Sequence, residues 1–172
     1  MPVLTIGHGN RPVEELVACL EAAGVRTLVD VRRYPASRRN PQFGREALEG
    51  TVGAAGIDYR HAVELGGRLS GEPGAERFRC IRTPGFQSYA ARMGTADWQQ
   101  ALADAVAEPS PCLLCAETLP WRCHRHLIAD LLLARGHEVV HLLRPHEARP
   151  HRLSDDAEAR TGLLYLCGEL VA

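Results

Sequence analysis

"VLTIGHGNRPVEELVACLEAAGVRTLVDVR", residues 3–32, decides the fold class. Its first five residues are a short β-branched run. In the stretch that follows, Val13, Leu16, Val17 and Leu20 recur at i, i+3, i+4 and i+7, the spacing of one helical face. Pro12 suits the first helical turn, Glu14 and Glu15 complement the helix dipole, and Gly24 closes the helix. "VRTLVDVR" then reads as a second buried strand. Strand, helix and strand joined by short connections predict a βαβ unit and a parallel sheet.

The same alternation continues outward. "REALEGTVGAAG" (45–56) offers a weak helix and "IDYRHAVEL" (57–65) a third strand or extended segment. "FQSYAARM" and "TADWQQALADAVAE" read as consecutive helices, the second capped by Thr95 with Trp98, Leu102 and Val106 on one face. "PCLLCAE" (111–117) is a fourth strand. "HLIADLLLARG" (126–136) is a helix stopped by Gly136, and "EVVHLL" (138–143) is a fifth strand. The expected architecture is a single α/β domain over residues 1–172, with an open, mostly parallel β-sheet and helices on both faces. Its core spans about 4–143. Beyond it, "RPHEARPHR" reads as a polar loop and "SDDAEARTGLLYLCGELVA" as a capped helix with an apolar tail. The glycine- and proline-rich stretch 66–85 reads as a long excursion, placed to close over a site as a lid.

Composition narrows the function classes. The formal charge of −1 argues against a diffuse basic field, so any polyanion site must be local. All 20 cations are arginine, the residue of bidentate oxyanion recognition. No run approaches the length of a membrane span, and "MPVLTIGHGN" lacks the charged and apolar regions of a signal peptide. A cytoplasmic protein with no membrane association is expected. Its six cysteines are then expected to be reduced thiols, with Cys19 and Cys167 as apolar filler.

In open parallel sheets, ligands bind outside the carboxyl ends of the strands. Nearly every unusual polar residue falls there: His8 after the first strand, Asp30, Arg32 and Arg33 after the second, His61 and Glu64 at the third, and Cys115 and Glu117 after the fourth. "LLCAETLPWRCHRHLIADLLLARG" (113–136) concentrates the chemistry. A thiol at Cys123, at the start of a helix and flanked by Arg122 and Arg125, is expected to be partly thiolate. The same junction is also an anion cradle. Alternatively Cys115, Glu117, Cys123 and His124 form the ligand set of a divalent transition metal such as Zn²⁺ or Fe²⁺, although no two of them stand at CxxC or HxxxH spacing to fix the geometry. The plain alternative for Cys115 is a side chain that fills the sheet beside Leu113 and Leu114. A second cluster, "DVRRYPASRRNPQFGREAL" (30–48), interleaves arginines with hydroxyl and aromatic groups, as phosphate recognition requires, or is a solvated loop. The late histidines His137, His141, His146 and His151 read as surface or satisfied core residues.

"TIGHGNRPVEELV", "LVDVRRYPASRRNPQF", "GIDYRHAVELGG", "GFQSYAARM" and "LLCAETLPWRCHRHLIADLL" together resemble the successive signature blocks of the DUF488 family, a domain of unknown function. The resemblance implies an α/β domain. It also implies His8, Asp30, Arg32, Pro35, Ser37, Arg38, His61, Gly66, Gly67, Cys115, Glu117, Cys123, His124 and Arg125 as motif positions. The family often carries serine where this chain has Gly9. No reaction is implied.

The combined reading is an enzyme that acts on a phosphate-bearing small molecule or nucleic acid. Arg32, Ser37, Arg38, His124 and Arg125 would bind substrate. Glu117, His8 and His61 would move protons, Asp30 would orient its neighbours, and Cys123 would be nucleophile or ligand. A non-catalytic nucleic-acid-binding or regulatory module and a metal or thiol redox sensor are the competing readings.

Overall fold

The structure, a computed structural model, describes residues 1–36, 38–160 and 162–171, and no side-chain placement for Leu164. The main sheet has the strand order β3-β2-β4-β1-β5-β6, built from β1 (Val3–Gly7), β2 (Thr27–Asp30), β3 (Asp58–His61), β4 (Pro111–Cys115), β5 (Val139–Arg144) and β6 (Glu147–Pro150). The first five strands are parallel, and β6 pairs antiparallel with β5 at the edge. The strands of the initial βαβ unit are not neighbours. β4 inserts between β1 and β2, where Leu4 faces Cys112 on one side and Thr27 faces Pro111 on the other.

Side-chain alternation along each strand divides the core in two. Leu4, Ile6, Leu28, Cys112 and Leu114 pack with Leu16 and Leu20 of α1 (Val13–Ala22) and Leu48 and Val52 of α2 (Arg45–Ala54). Val29, Val31, Leu113 and Cys115 point to the opposite face. There they meet α3 (Pro84–Met93), α4 (Ala96–Ala107) and α5 (Arg125–Ala134) through Tyr89, Met93, Trp98, Leu127 and Leu131. The expected helices on both faces are present. Because α1 leaves β1 on one face and α5 leaves β4 on the other, the carboxyl ends of these central strands open into a crevice.

The C-terminal expectations are corrected. "RPHEARPHR" is not a loop: residues 147–150 form β6, turning at His146 with φ 63°. The segment 154–172 is not a helix with a tail. Its described residues form an antiparallel sheet of β7 (Ala157–Ala159), β8 (Leu163–Tyr165) and β9 (Leu170–Val171). "LLYLCGEL" lacks helical periodicity, and Gly168, at φ 92°, makes the turn between β8 and β9.

This small sheet clamps the excursion 66–85. Cys167 forms a disulfide with Cys80, with a Cα separation of 5.4 Å, so these two are not the reduced thiols that the composition predicted, and Cys167 is not filler. Arg77 and Glu169 pair at 3.2 Å, and Phe78 meets Tyr165 edge-on at 5.6 Å. The pairing had no local signal because 87 residues separate the two cysteines. Closing a loop of that length is expected to contribute about 2–4 kcal/mol. Urea unfolding with and without a dithiol reductant should show that loss in the native chain, whereas Cys80→Ser should already be destabilised and insensitive to reductant.

Candidate active site

Backbone contact between β1 and the loop after β4 builds the site. The β1–β4 ladder runs past the strand ends, with His8 N–H donating to Cys115 O at 3.0 Å and Gly9 N–H to Ala116 O at 2.8 Å. The approach leaves no room for side chains. A Cβ on Gly7 would lie 1.8 Å from the Glu117 carbonyl oxygen, and one on Gly9 (φ 53°) 2.0 Å from Thr118 Oγ1. Here Thr118 occupies the space that a serine at position 9 would need.

Arg125 fastens the same loop from below. It is 1% exposed, and its Nη2 donates to the carbonyls of Glu117 (2.8 Å) and Thr118 (2.7 Å). Burial lowers its pKa, against the pull of the Cys123, Cys115 and Cys112 thiols. Its Nε and Nη1 have no hydrogen-bond partner among the described residues. Arg125 therefore does not line the cavity as an oxyanion ligand; it shapes the loop that does.

With the loop held down, the chain returns Cys123 to Cys115. Cys115, Cys123 and His124 place their two sulfurs and a ring nitrogen all within 4.8 Å of one another, and all three residues are buried. Each sulfur is 3.7 Å from His124 Nδ1. His124 Nε2 lies 2.9 Å from the Val31 carbonyl, which only accepts, so Nε2 carries a proton and Nδ1 faces the sulfurs. Close packing preserves this arrangement: a Cβ on Gly67 would lie 2.5 Å from His124 Nδ1, and Tyr89 sits 4.9 Å from the imidazole.

The expected activated thiol at Cys123 is corrected. The helix starts at Arg125, after Cys123 in extended conformation and His124 as its cap. Burial pushes the Cys123 thiol well up, and neighbouring Cys115 adds to the shift. The Arg125 charge and backbone N–H oppose these effects but are outweighed. Cys115 is the thiol held well below its usual range. A hydrogen bond from Cys123 is the main cause, overcoming burial, with help from His124 and Arg125. Of the two thiols, Cys115 is the one that gives up its proton more readily.

A cavity of about 320 Å³ lies above this cluster, with Cys115, Cys123, His124, His8 and Glu117 among its lining. His8 Nδ1 donates to the Gly9 carbonyl at 2.9 Å and its ring stacks on Phe43 at 4.4 Å, leaving Nε2 as an acceptor. Burial lowers its pKa, which keeps it neutral. Arg33, Arg68 and Arg122 are exposed residues of the wall, Tyr34 and Phe86 supply rings, and Glu117 is the one carboxylate of the lining. Both ends of the excursion, Arg68 and Thr83, contribute to the wall.

Other expected residues stand behind the cavity or apart from it. Asp30 is fully buried and accepts from Arg32 Nε (2.8 Å), Arg32 Nη2 (2.5 Å) and the Tyr59 hydroxyl (2.7 Å). Arg32 lines the cavity, but its Nη1 also donates to the Phe43 carbonyl at 2.8 Å. Burial would lower its pKa, and Asp30 more than reverses that. Its guanidinium is therefore a brace for the loop 32–43. His61 Nε2 donates to the Arg32 carbonyl at 2.8 Å and does not line the cavity. Arg38 is exposed and also outside the lining, and Ser37 lies outside the described residues. Sequence reasoning missed Arg68, Phe86 and Tyr89. The only trace of them was the block "GFQSYAARM", which contains two of the three.

A family profile described as "Domain of unknown function DUF488" matches residues 12–132, which hold α1, the loop 32–43, the excursion and the whole Cys115–His124 cluster. The chain belongs to the DUF488 family. No curated protein and no solved structure matches it. The DUF488 match ends within α5, so β5, β6 and the clamp sheet lie beyond it. No helix among the described residues is long and apolar enough to cross a membrane.

Asp30→Asn should leave Arg32 as an uncompensated buried cation and cost about 3–5 kcal/mol in urea unfolding. Tyr59→Phe, which removes one hydrogen bond to the same carboxylate, should cost about 1 kcal/mol.

Proposed function

We propose that this DUF488 protein is a metal-dependent enzyme in which Cys115, Cys123 and His124 hold a divalent transition metal, Zn²⁺ or Fe²⁺, beneath a pocket for a phosphate-bearing substrate. The separation of the ligand atoms carries this reading. Metal–sulfur bonds of about 2.3 Å and metal–nitrogen bonds of about 2.0–2.1 Å at a tetrahedral angle put sulfur and nitrogen about 3.6 Å apart. Both sulfurs stand 3.7 Å from Nδ1. The Val31 carbonyl supplies the outer partner that orients a metal-bound imidazole. Three protein ligands leave a fourth position, the pattern of catalytic rather than structural zinc.

Such a metal supplies Lewis acidity and lowers the pKa of a bound water. The chain supplies the rest. Arg33, Arg68 and Arg122 bind the oxyanions of a nucleotide or nucleic-acid element, with Tyr34 and Phe86 offering faces for a ring. The Nε2 lone pair of His8 and the carboxylate of Glu117 accept and return protons. The four arginines in the lining outnumber its single carboxylate, which favours an anionic substrate. Cys115 and Cys123 are free thiols, available as ligands, while the disulfide joins Cys80 to Cys167.

The pairing of the two sulfurs, in which a hydrogen bond from Cys123 lowers the Cys115 pKa, also favours a second reading, a thiolate nucleophile. Metal analysis separates the two. Protein purified without chelator is expected to carry stoichiometric metal by elemental mass spectrometry. Cys123→Ser should lose it, and so should Gly67→Ala, whose added methyl displaces the imidazole. Glu117→Gln should keep the metal and raise no substrate binding defect, losing turnover alone. Metal-free wild type that takes up neither Zn²⁺ nor Fe²⁺ would leave the thiolate reading. The ultraviolet thiolate absorbance should then be present at neutral pH, vanish as pH falls through the depressed Cys115 pKa, and be absent in Cys115→Ser.

A further inference from the structure

Across the β4–α5 junction from this cavity, a second concavity of about 520 Å³ opens between the start of α5, the β5–β6 hairpin and residues 151–152. The short turn Pro120–Arg122 is the partition between them. Arg122 faces the first cavity and Trp121 the second. No residue that lines the second concavity carries a carboxylate. Its polar lining is Arg149, Arg152 and the histidines 126, 141 and 151. Arg149 stands opposite His141 in the β5–β6 register, so both point to the α5 face of the sheet. Neither Arg149 nor Arg152 has an ion pair or hydrogen bond among the described residues, whereas Arg60, Arg77 and Arg160 are all paired with carboxylates.

The floor behind those guanidiniums is rigid because one buried carboxylate directs it. Asp130, 1% exposed, accepts from His151 Nε2 at 2.8 Å, the Ser154 N–H at 3.0 Å and Ser154 Oγ at 2.5 Å. Because Asp130 only accepts, each donation fixes the next. His151 Nδ1 accepts from His141 Nε2 at 3.0 Å, and His141 Nδ1 accepts from the Thr5 hydroxyl at 2.7 Å. Ser154 Oγ, having donated to Asp130, accepts from His126 Nε2 at 2.8 Å. Asp130 is thus fully engaged away from the opening, and the two unpaired arginines and the 53% exposed Trp121 ring remain to meet a ligand.

We propose that this second concavity binds a phosphate-bearing anion through Arg149 and Arg152, with Trp121 as its side wall. A phosphate offers the oxygens that two guanidiniums take as paired acceptors, and the lining contains no group that repels it. The site is independent of the cavity over Cys115. Ligand seated here would press on the turn that carries Arg122 into that cavity.

Fluorescence titration tests the assignment, because Trp121 is exposed while the other indole, Trp98, is fully buried and serves as a constant background. Inorganic pyrophosphate and adenosine monophosphate are titrated separately against the full chain. A saturable change in Trp121 emission is expected that persists in Arg33→Gln/Arg68→Gln. In Arg149→Gln/Arg152→Gln it should weaken by about tenfold or more for each guanidinium lost. Tighter binding of the mononucleotide would identify a ligand with a planar ring, and equal binding one recognised by phosphate alone. Either result upholds the site. Absence of any saturable response, affinity unchanged in Arg149→Gln/Arg152→Gln, or a response abolished by Arg33→Gln/Arg68→Gln would each overturn it. Both arginines of the second site are exposed, and circular dichroism of the double variant confirms that the fold is retained.

Discussion

Everything at the sheet's carboxyl edge depends on how Arg125 holds the loop after β4. A guanidinium taken almost wholly out of water must gain hydrogen bonds or charge compensation to offset the cost. It donates to the Glu117 and Thr118 carbonyls and lies in the field of three thiols. Its Nε and Nη1 have no hydrogen-bond partner among the described residues, so the two carbonyl contacts are its anchor to the loop. The loop is drawn down until its backbone meets Gly7 and Gly9, and that contact sets where the chain re-enters the fold at Cys123. Had the loop arched into solvent, Cys115 and Cys123 would not stand side by side and His124 could not present Nδ1 to both.

Two buried aspartates do comparable work on either side. Asp30 gathers Arg32 and Tyr59 and so braces the arginine-rich loop beside the first cavity. Asp130 sets the direction of a hydrogen-bond chain that runs from Thr5 through two histidines, and through Ser154 to a third. In both cases a carboxylate that can only accept removes rotational freedom from several donors at once. The surrounding arginines then differ in kind. Arg32 and Arg125 are structural because their donors are turned inward, whereas Arg33, Arg68, Arg122, Arg149 and Arg152 retain theirs for solvent or ligand.

Much of this was legible in the sequence. The period of Val13, Leu16, Val17 and Leu20 located α1. The apolar run Leu113–Cys115 located β4, and the rule for parallel sheets placed His8, Glu117, Cys123 and His124 on one edge. The stretch after β5 was misread, because "AEARTGLLYLCGEL" has neither clear alternation nor helical spacing and its short strands take their shape from each other and from Cys80. The oxyanion roles given to Arg32, Arg38 and Arg125 rested on residue type. Whether an arginine faces a cavity or a buried carboxylate is a property of its neighbours in space.

By itself, then, the sequence determined the alternation of strands and helices, the edge on which the polar residues collect, and the family, since each depends on local period or on ordered motif blocks. Only the tertiary structure decided that β4 would lie between β1 and β2, that the Cys115 thiol would be more acidic than Cys123, and that Cys80 would find Cys167. Those outcomes depend on burial and on separations between residues far apart in the chain. The acidity of the two thiols follows a balance of desolvation and neighbouring charge that exists only once the loop has closed over the sheet.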